Sequence, residues 1–435
     1  MTRVLPFPGL RFNPRVVDDL AAVVCPPYDV ISPAEQKQLQ ACSPYNAVHL
    51  ELPEDTPHKP DSRYAHAAES LAAWRREGAL LQDPRPAYYL HETRFSHHGQ
   101  PYRRRDLMAA LGVEPWSADS VRPHERTMAG PKADRLQLIR ATHANVSPVW
   151  VLYREHPDPV SEAWQAAERQ SPAMQFGLNG EEHRLWVVDD PARVQAIEQA
   201  FAASGPLYIA DGHHRYETAL AFSEESGSSL PGASAMLAVL TWANDPGLVI
   251  LPTHRVVHGL PANLTMEELE ARWSSAFHAE YYPVWEDAPA EQIEALIRQL
   301  ETRQDSGPTF GILGPEPDTF AVLELRGRRP PVDALPADRS EAWKALDVAL
   351  VHALLVDPLI AEIGKPREEV LTYTRDPHEA FATVRANSPS MAVFLNPTPV
   401  EQVLAVADAG DRMPEKSTYF YPKPPTGLVI RTIKT

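Results

Sequence analysis

The sequence predicts an α+β protein of 435 residues in two portions, a mixed core over 1–258 and a further α/β portion over 259–435. Three observations carry this. Apolar runs of strand length, Val149–Tyr153 and Ala235–Ala243, are interspersed with stretches whose apolar residues recur at helical spacing, such as Tyr64, Ala67, Leu71 and Trp74. The stretch Leu207–Gly227 (LYIADGHHRYETALAFSEESG) reads as strand, tight turn and helix, with its functional groups packed between Ala210 and Tyr216. The chain then changes character near Leu260, where a capping box and a new amphipathic helix begin.

Residues 1–60 read as short extended pieces. Ala21–Val24 is a strand candidate that stops at Pro26-Pro27 and sets Tyr28 and Asp29 on a rigid corner. Asn46 and His49 lie close to a short apolar strand. Ser62–Glu77 is predicted helical, with Gly78 as its stop. YYLHETRFS and YRRRDLMAALGV flank His97-His98-Gly99-Gln100 as a hairpin; Arg103, Arg104 and Arg105 would alternate faces there, the pattern of a solvated edge. Arg122–Ile139 crowds His124, Glu125, Lys132, Asp134 and Arg135 into a broken loop leading to a helix over Asp134–Thr142, either a site or a surface salt-bridge cluster. Val149–Tyr153 reads as a central strand, Ala163–Gln170 and Asp190–Ser204 as helices, and Leu185–Val188 and Leu248–Leu251 as strands, the last ending at His254 and Arg255. Beyond Leu260, Thr265 and Glu268 cap a helix, Ile293, Leu296, Ile297 and Leu300 mark another, and Thr309–Leu313 with Thr319–Leu325 form a hairpin. Arg326–Asp338 is a linker or long loop, Leu346–Val356 a helix closed by Pro358, Val370–Thr374 and Ala392–Leu395 strands, and Pro399–Ala407 a helix. The tail interleaves Lys416, Ser417, Thr418 and Lys423 with Tyr419, Phe420 and Tyr421, which suits a docked segment: a flap over a phosphate, or an edge strand with polar outer residues.

Composition narrows the function classes. With 43% apolar and 23% charged residues the chain is an ordinary globular protein. Its net charge of −17 argues against sequence-independent nucleic-acid binding, which needs a basic field, and leaves room for a local basic pocket. Cys25 and Cys42 are the only cysteines, so neither a disulfide framework nor a CxxC metal cluster is on offer. Prolines interrupt the first fourteen residues where a secretory signal needs an apolar run, and Ala235–Ala243 falls far short of the ~20 residues that span a bilayer. A cytoplasmic location with no membrane partner is expected.

Chemistry concentrates at the turn. Gly212 permits a sharp bend, and the amides and aligned dipoles of a helix start favour an anion. Beside them, Arg215 can fork onto two phosphate oxygens, and His213 and His214 can donate from either ring nitrogen. Two other readings stand: a solvated His-rich loop with Asp211 as an ordinary N-cap, and a metal site of Asp211, His213 and His214 serving a hydrolase. Against the metal, helical ligand pairs usually sit three or four residues apart.

Together, ADGHHRYET, CPPYDVIS, HERT, PKADRL, LPTHR and MPEKSTYFYPK resemble a bacterial and archaeal family catalogued as domain of unknown function 1015, over almost the whole chain. That family resembles the ParB/sulfiredoxin superfamily, whose members set a short glycine-led turn around nucleotide phosphates, and which includes kinases that phosphorylate free L-serine with ADP or ATP. The resemblance implies a ParB/sulfiredoxin-like core in which Gly212, His213, His214 and Arg215 hold phosphates, with Lys132 and Arg135 adding contacts. It also implies Asp211 placed for Mg²⁺ or to orient a histidine, and Glu125 as the base for a hydroxyl acceptor. His124, His254, Arg255, Lys416 and Ser417 are accessory candidates. The superfamily's DNA partition clamps are a poor match, for the chain shows neither a helix-turn-helix nor a basic field. A non-catalytic nucleotide sensor is the alternative use of the same pocket.

Overall fold

A mixed nine-stranded sheet organises the first part of the computed structural model, which describes residues 2–127, 129–285, 287–327, 335–386 and 389–433. The fold is α+β, in two units: Met1–Val249 with Pro422–Thr435, and Ile250–Tyr421.

In the first unit the strands run in the order Val121–Arg122, Leu207–Asp211, Val149–Tyr153, Ala235–Trp242, Gln100–Gly112, Tyr88–His97, Glu181–Val188 and Met174–Leu178, with Val4–Leu5 also paired to Gln100–Gly112. Two pairings are parallel, Leu207–Asp211 with Val121–Arg122 and Ala235–Trp242 with Val149–Tyr153. Val149–Tyr153 lies between Leu207–Asp211 and Ala235–Trp242 and is buried throughout, as a continuous apolar run requires. Trp74, on the Ser62–Arg76 helix, is buried.

The Tyr88–His97/Gln100–Gly112 hairpin closes through His98 and Gly99, both at positive φ, the turn whose twist matches the strands. The arginine triplet lies on an interior strand, which corrects the solvated-edge expectation. Alternation sends Arg104 fully inward, while Arg103 and Arg105 reach Glu168 at 2.8 and 2.5 Å.

Other local expectations also give way. Ala21–Val24 is turn and loop, and Asn46 explains it: its side-chain amide donates to the Ala22 and Val24 carbonyls, and its oxygen accepts from the Val48 amide, which starts a short helix, Val48–Glu51, where a strand was expected. Met174–Leu178 and Glu181–Val188 form a hairpin around Asn179-Gly180.

The second unit is built on a six-stranded antiparallel sheet, in the order Phe277–Pro283, Thr319–Leu325, Thr309–Leu313, Ser390–Leu395, His254–His258 and Leu371–Thr374. Phe320, Phe381 and Phe394 centre its core. Thr265 and Glu268 make the reciprocal capping box of the Met266–Trp273 helix. Pro358 does not close the preceding helix; it opens Asp357–Ile363 from the first turn, where its missing N–H costs nothing. Residues 328–334 of the expected linker lie outside the described residues.

The tail returns to the first unit. Thr426 bridges Cys25, Ile430 bridges Leu10, and Arg431–Thr432 pair with Ala144–Asn145.

Candidate functional site

A register shift makes Ala210 the extra residue between Ile209, opposite Val151, and Asp211, opposite Trp150, and the strand ends at Asp211. Gly212 follows at φ +93, a conformation side chains rarely adopt, and the helix His213–Ser226 begins at once. The Tyr216 amide bonds the Gly212 carbonyl at 3.0 Å, so the amides of residues 213–215 precede the helical ladder. Gly212 is itself the N-cap and has no side-chain cap, which removes the reading of Asp211 as one.

The three polar side chains of the turn go to different surroundings. Arg215 is buried beneath Gly212, bonded to the Pro148 carbonyl and to Asp211, so its fork is spent within the protein. His213 is buried against His124, ring centroids 4.7 Å apart. Its Nε2 accepts the His124 amide at 3.2 Å, which leaves the proton on Nδ1, 3.8 Å from Glu125 Oε2. His124 Nδ1 donates in turn to the Ile209 carbonyl at 2.7 Å. His214 is half-buried; desolvation lowers its pKa, against the opposing charges of Glu217 and Asp29.

Lys132 reaches the helix. Its Nζ lies 2.9 Å from Glu217 Oε2 and 3.2 Å from Thr127 Oγ1, while Trp116 Nε1 donates to the other Glu217 oxygen at 3.2 Å. Burial would raise the Glu217 carboxyl; these donors outweigh it and its pKa is lowered. Arg135 faces another way, bonding the Glu51 carbonyl at 2.7 Å and Asp134 at 2.5 Å while lying 4.5 Å over the Tyr28 ring.

A cation from the far end of the chain completes the cluster. Lys423 Nζ is 2.7 Å from Asp211 Oδ1 and is also bonded to Asp29, on the Pro26-Pro27 corner. Desolvation would raise the Asp211 carboxyl, but Lys423 and then Arg215 hold it down at about 2. With both oxygens facing fixed cations, Asp211 does not fit the Mg²⁺ that the resemblance implies. Nor do the described residues contain a group of three or more His, Cys, Asp or Glu able to hold a metal ion, so Asp211, His213 and His214 do not converge on one. Asp29, Thr127 and Glu217 were not assigned to the site from sequence; only Glu217, three residues after His214 on the same helix face, carried a readable signal.

The remaining accessory candidates are accounted for within the second unit. His254 and Arg255 begin a strand. His254 Nδ1 accepts the Leu395 amide at 3.4 Å, and Arg255 donates to the carbonyls of Thr253, Glu415 and Lys416. Ser417 is buried and donates to Pro414 at 2.5 Å, and Lys416 is exposed.

One further polar cluster went unread. His91 and His183 stack with Nε2 and Nδ1 3.1 Å apart, and Asp106 accepts from Arg104 at 3.0 Å and Thr241 at 2.5 Å, all of it buried in the sheet. The other end of Arg104 donates to the Pro422 carbonyl at 2.5 Å, next to Lys423.

A family model described as Protein of unknown function (DUF1015) matches residues 4–349. A search of curated proteins finds no match. Among solved structures the chain is similar to a conserved hypothetical protein from Pyrococcus furiosus, at 14% identity over 69% of this chain and 87% of that one, with a TM-score of 0.31. It is also similar to a mutant free serine kinase in complex with ADP, at 12% identity over 69% and 84%, TM-score 0.33. A third is SbnI with C-terminal truncation from Staphylococcus aureus, at 12% identity over 75% and 87%, TM-score 0.36.

Proposed function

The chain belongs to the DUF1015 family, and from that premise we propose that it is a nucleotide-dependent phosphotransferase with a ParB/sulfiredoxin-like core, using ATP or ADP on a small hydroxylated metabolite, with free L-serine as the first acceptor to test. One observation carries the reading: a helix opens directly after Gly212 at positive φ, with Lys132, Lys423 and the half-buried His214 gathered at its first turns. Amides at a helix start and nearby cations are what a phosphate chain requires. Arg215 serves this by fixing the turn from below, since its donors already go to Pro148 and Asp211.

Glu125 is the base of the proposed reaction. Its carboxylate is partly exposed and faces the protonated Nδ1 of His213, whose Nε2 is tied to the His124 amide. The acceptor's hydroxyl oxygen bonds to the terminal phosphorus, the anhydride P–O bond breaks with its electron pair leaving on the nucleoside phosphate, and the hydroxyl proton passes to Glu125. Purified protein incubated with Mg²⁺, ATP or ADP and L-serine should yield O-phosphoserine by mass spectrometry. Arg215→Ala and Glu125→Gln should each abolish it. No product with any nucleotide and small alcohol refutes the phosphotransferase.

A second reading has its own support. His213 and Arg215 are buried and already bonded inside the protein, which suits a pocket that binds without turning over. Calorimetric nucleotide binding unaccompanied by product would favour this sensor.

A further inference from the structure

The resemblance assigns a divalent cation to Asp211, and the donor set there is already committed to side-chain cations. Lys423 sits between two carboxylates, Asp211 on the turn and Asp29 on the proline corner, much as a metal ion would. The two carboxylates are not equivalent: the Asp211 side chain is 20% exposed and the Asp29 side chain 39%, with Lys423 at 9%. The lysine is also held from behind. Pro422 accepts from Arg104 at 2.5 Å, and the Thr426 amide donates to Cys25 at 2.7 Å, so the chain on both sides of Lys423 is pinned to the first unit. Asp29 lies close enough to oppose the lowering of the His214 pKa, which puts it on the side of the helix start.

We propose that Lys423, delivered by the tail, is the residue that meets the ligand's phosphate at this turn in the place of a divalent cation, and that Asp29 is the exposed carboxylate the phosphate displaces. This rests on the phosphate-site reading above. Asp211 keeps the ammonium in position while its outer partner exchanges, so the lysine needs no rearrangement of the backbone to accept an anion. A metal ion at the same carboxylates would instead face both Lys423 and Arg215 across a few ångströms.

The test is calorimetric titration of the full chain with ADP at fixed ionic strength, in EDTA and in excess Mg²⁺. Wild-type protein is expected to bind in EDTA, Lys423→Met to weaken binding about tenfold to a hundredfold, the range of a charge-assisted hydrogen bond, and Asp29→Asn to tighten it several-fold. Wild-type binding that EDTA abolishes, or Lys423→Met binding like wild type, overturns the assignment and leaves the phosphate site standing. Absence of wild-type binding removes the phosphate site and this assignment with it. Circular dichroism establishes that each variant folds; should Lys423→Met not fold, Asp29→Asn decides alone, and unchanged or weaker binding by it overturns the proposal.

Discussion

Replacing Asp211 by Asn keeps the shape of the side chain and deletes the charge that two buried cations share. Lys423 would retain Asp29, and Arg215 would retain the Pro148 carbonyl. Breaking one partner out of a buried pair costs about 3–5 kcal/mol; the partial exposure of Asp211 and the surviving Asp29 contact bring this down to about 2–3 kcal/mol. The carboxyl's pKa gives a second route to the size. It stands at about 2 in the folded protein against 3.8 ordinarily, so the charged form is favoured by folding, worth on the order of 2 kcal/mol. Because the folded value is the lower one, this stabilisation is fully present above pH 4 and is lost as pH falls through about 2. Urea unfolding of wild type and Asp211→Asn from pH 2 to 7, read by amide-exchange protection in the 422–433 segment, should show a gap of about 2–3 kcal/mol at pH 7 that closes towards pH 2. A gap that is absent at pH 7, or that persists undiminished at pH 2, refutes the electrostatic account of the turn.

Gly212→Ala should destabilise the first unit by about 1–3 kcal/mol, because the residue sits at φ +93 and its new Cβ would come 2.9 Å from Arg215 Nε; a melting temperature equal to wild type contradicts this. In the second unit, burial and then the neighbouring Arg255 charge lower His254 from 6.5 to about 3. Its ring should therefore stay neutral down to about pH 3 by NMR, and the unit should lose stability as pH drops below 6.5, since the unfolded chain binds the proton more readily. A His254 titration midpoint near 6.5 contradicts the burial argument.

What was legible in the sequence was local. The turn at Gly212 could be read because a glycine between an apolar strand and helix formers has few other uses, and the Thr265–Glu268 box because both partners lie within one helical turn. Asn179-Gly180 was equally legible as a hairpin turn and went unread because the strand before it, Met174–Leu178, is short and only half apolar. Ala21–Val24 shows the opposite failure: its propensity favours a strand, but Asn46, some two dozen residues away, captures its carbonyls. Pro358 suggests a stop by its position alone, but a proline serves a helix start as well. The partnerships that shape the candidate site were beyond any local reading. Lys423 and Asp29 are 394 positions apart, and nothing about either residue's neighbours points to the other.

The same distance explains why so much buried charge surrounds the tail. A fully buried ion pair adds little net stability, because desolvation consumes most of the attraction, yet a buried ion deprived of its partner is heavily penalised. Arg104, Asp106, His91 and His183 form such a network within the sheet, and Arg104 spends one of its donors on the Pro422 carbonyl. If the tail were bound in another register, that donor would be stranded in a dry interior, and Lys423 would be separated from Asp211 at the same stroke. The network therefore contributes less to how firmly the tail is held than to where it is held. Backbone pairing at Cys25, Leu10 and Ala144–Asn145 supplies attachment, and the buried charges penalise a placement that separates Lys423 from Asp211.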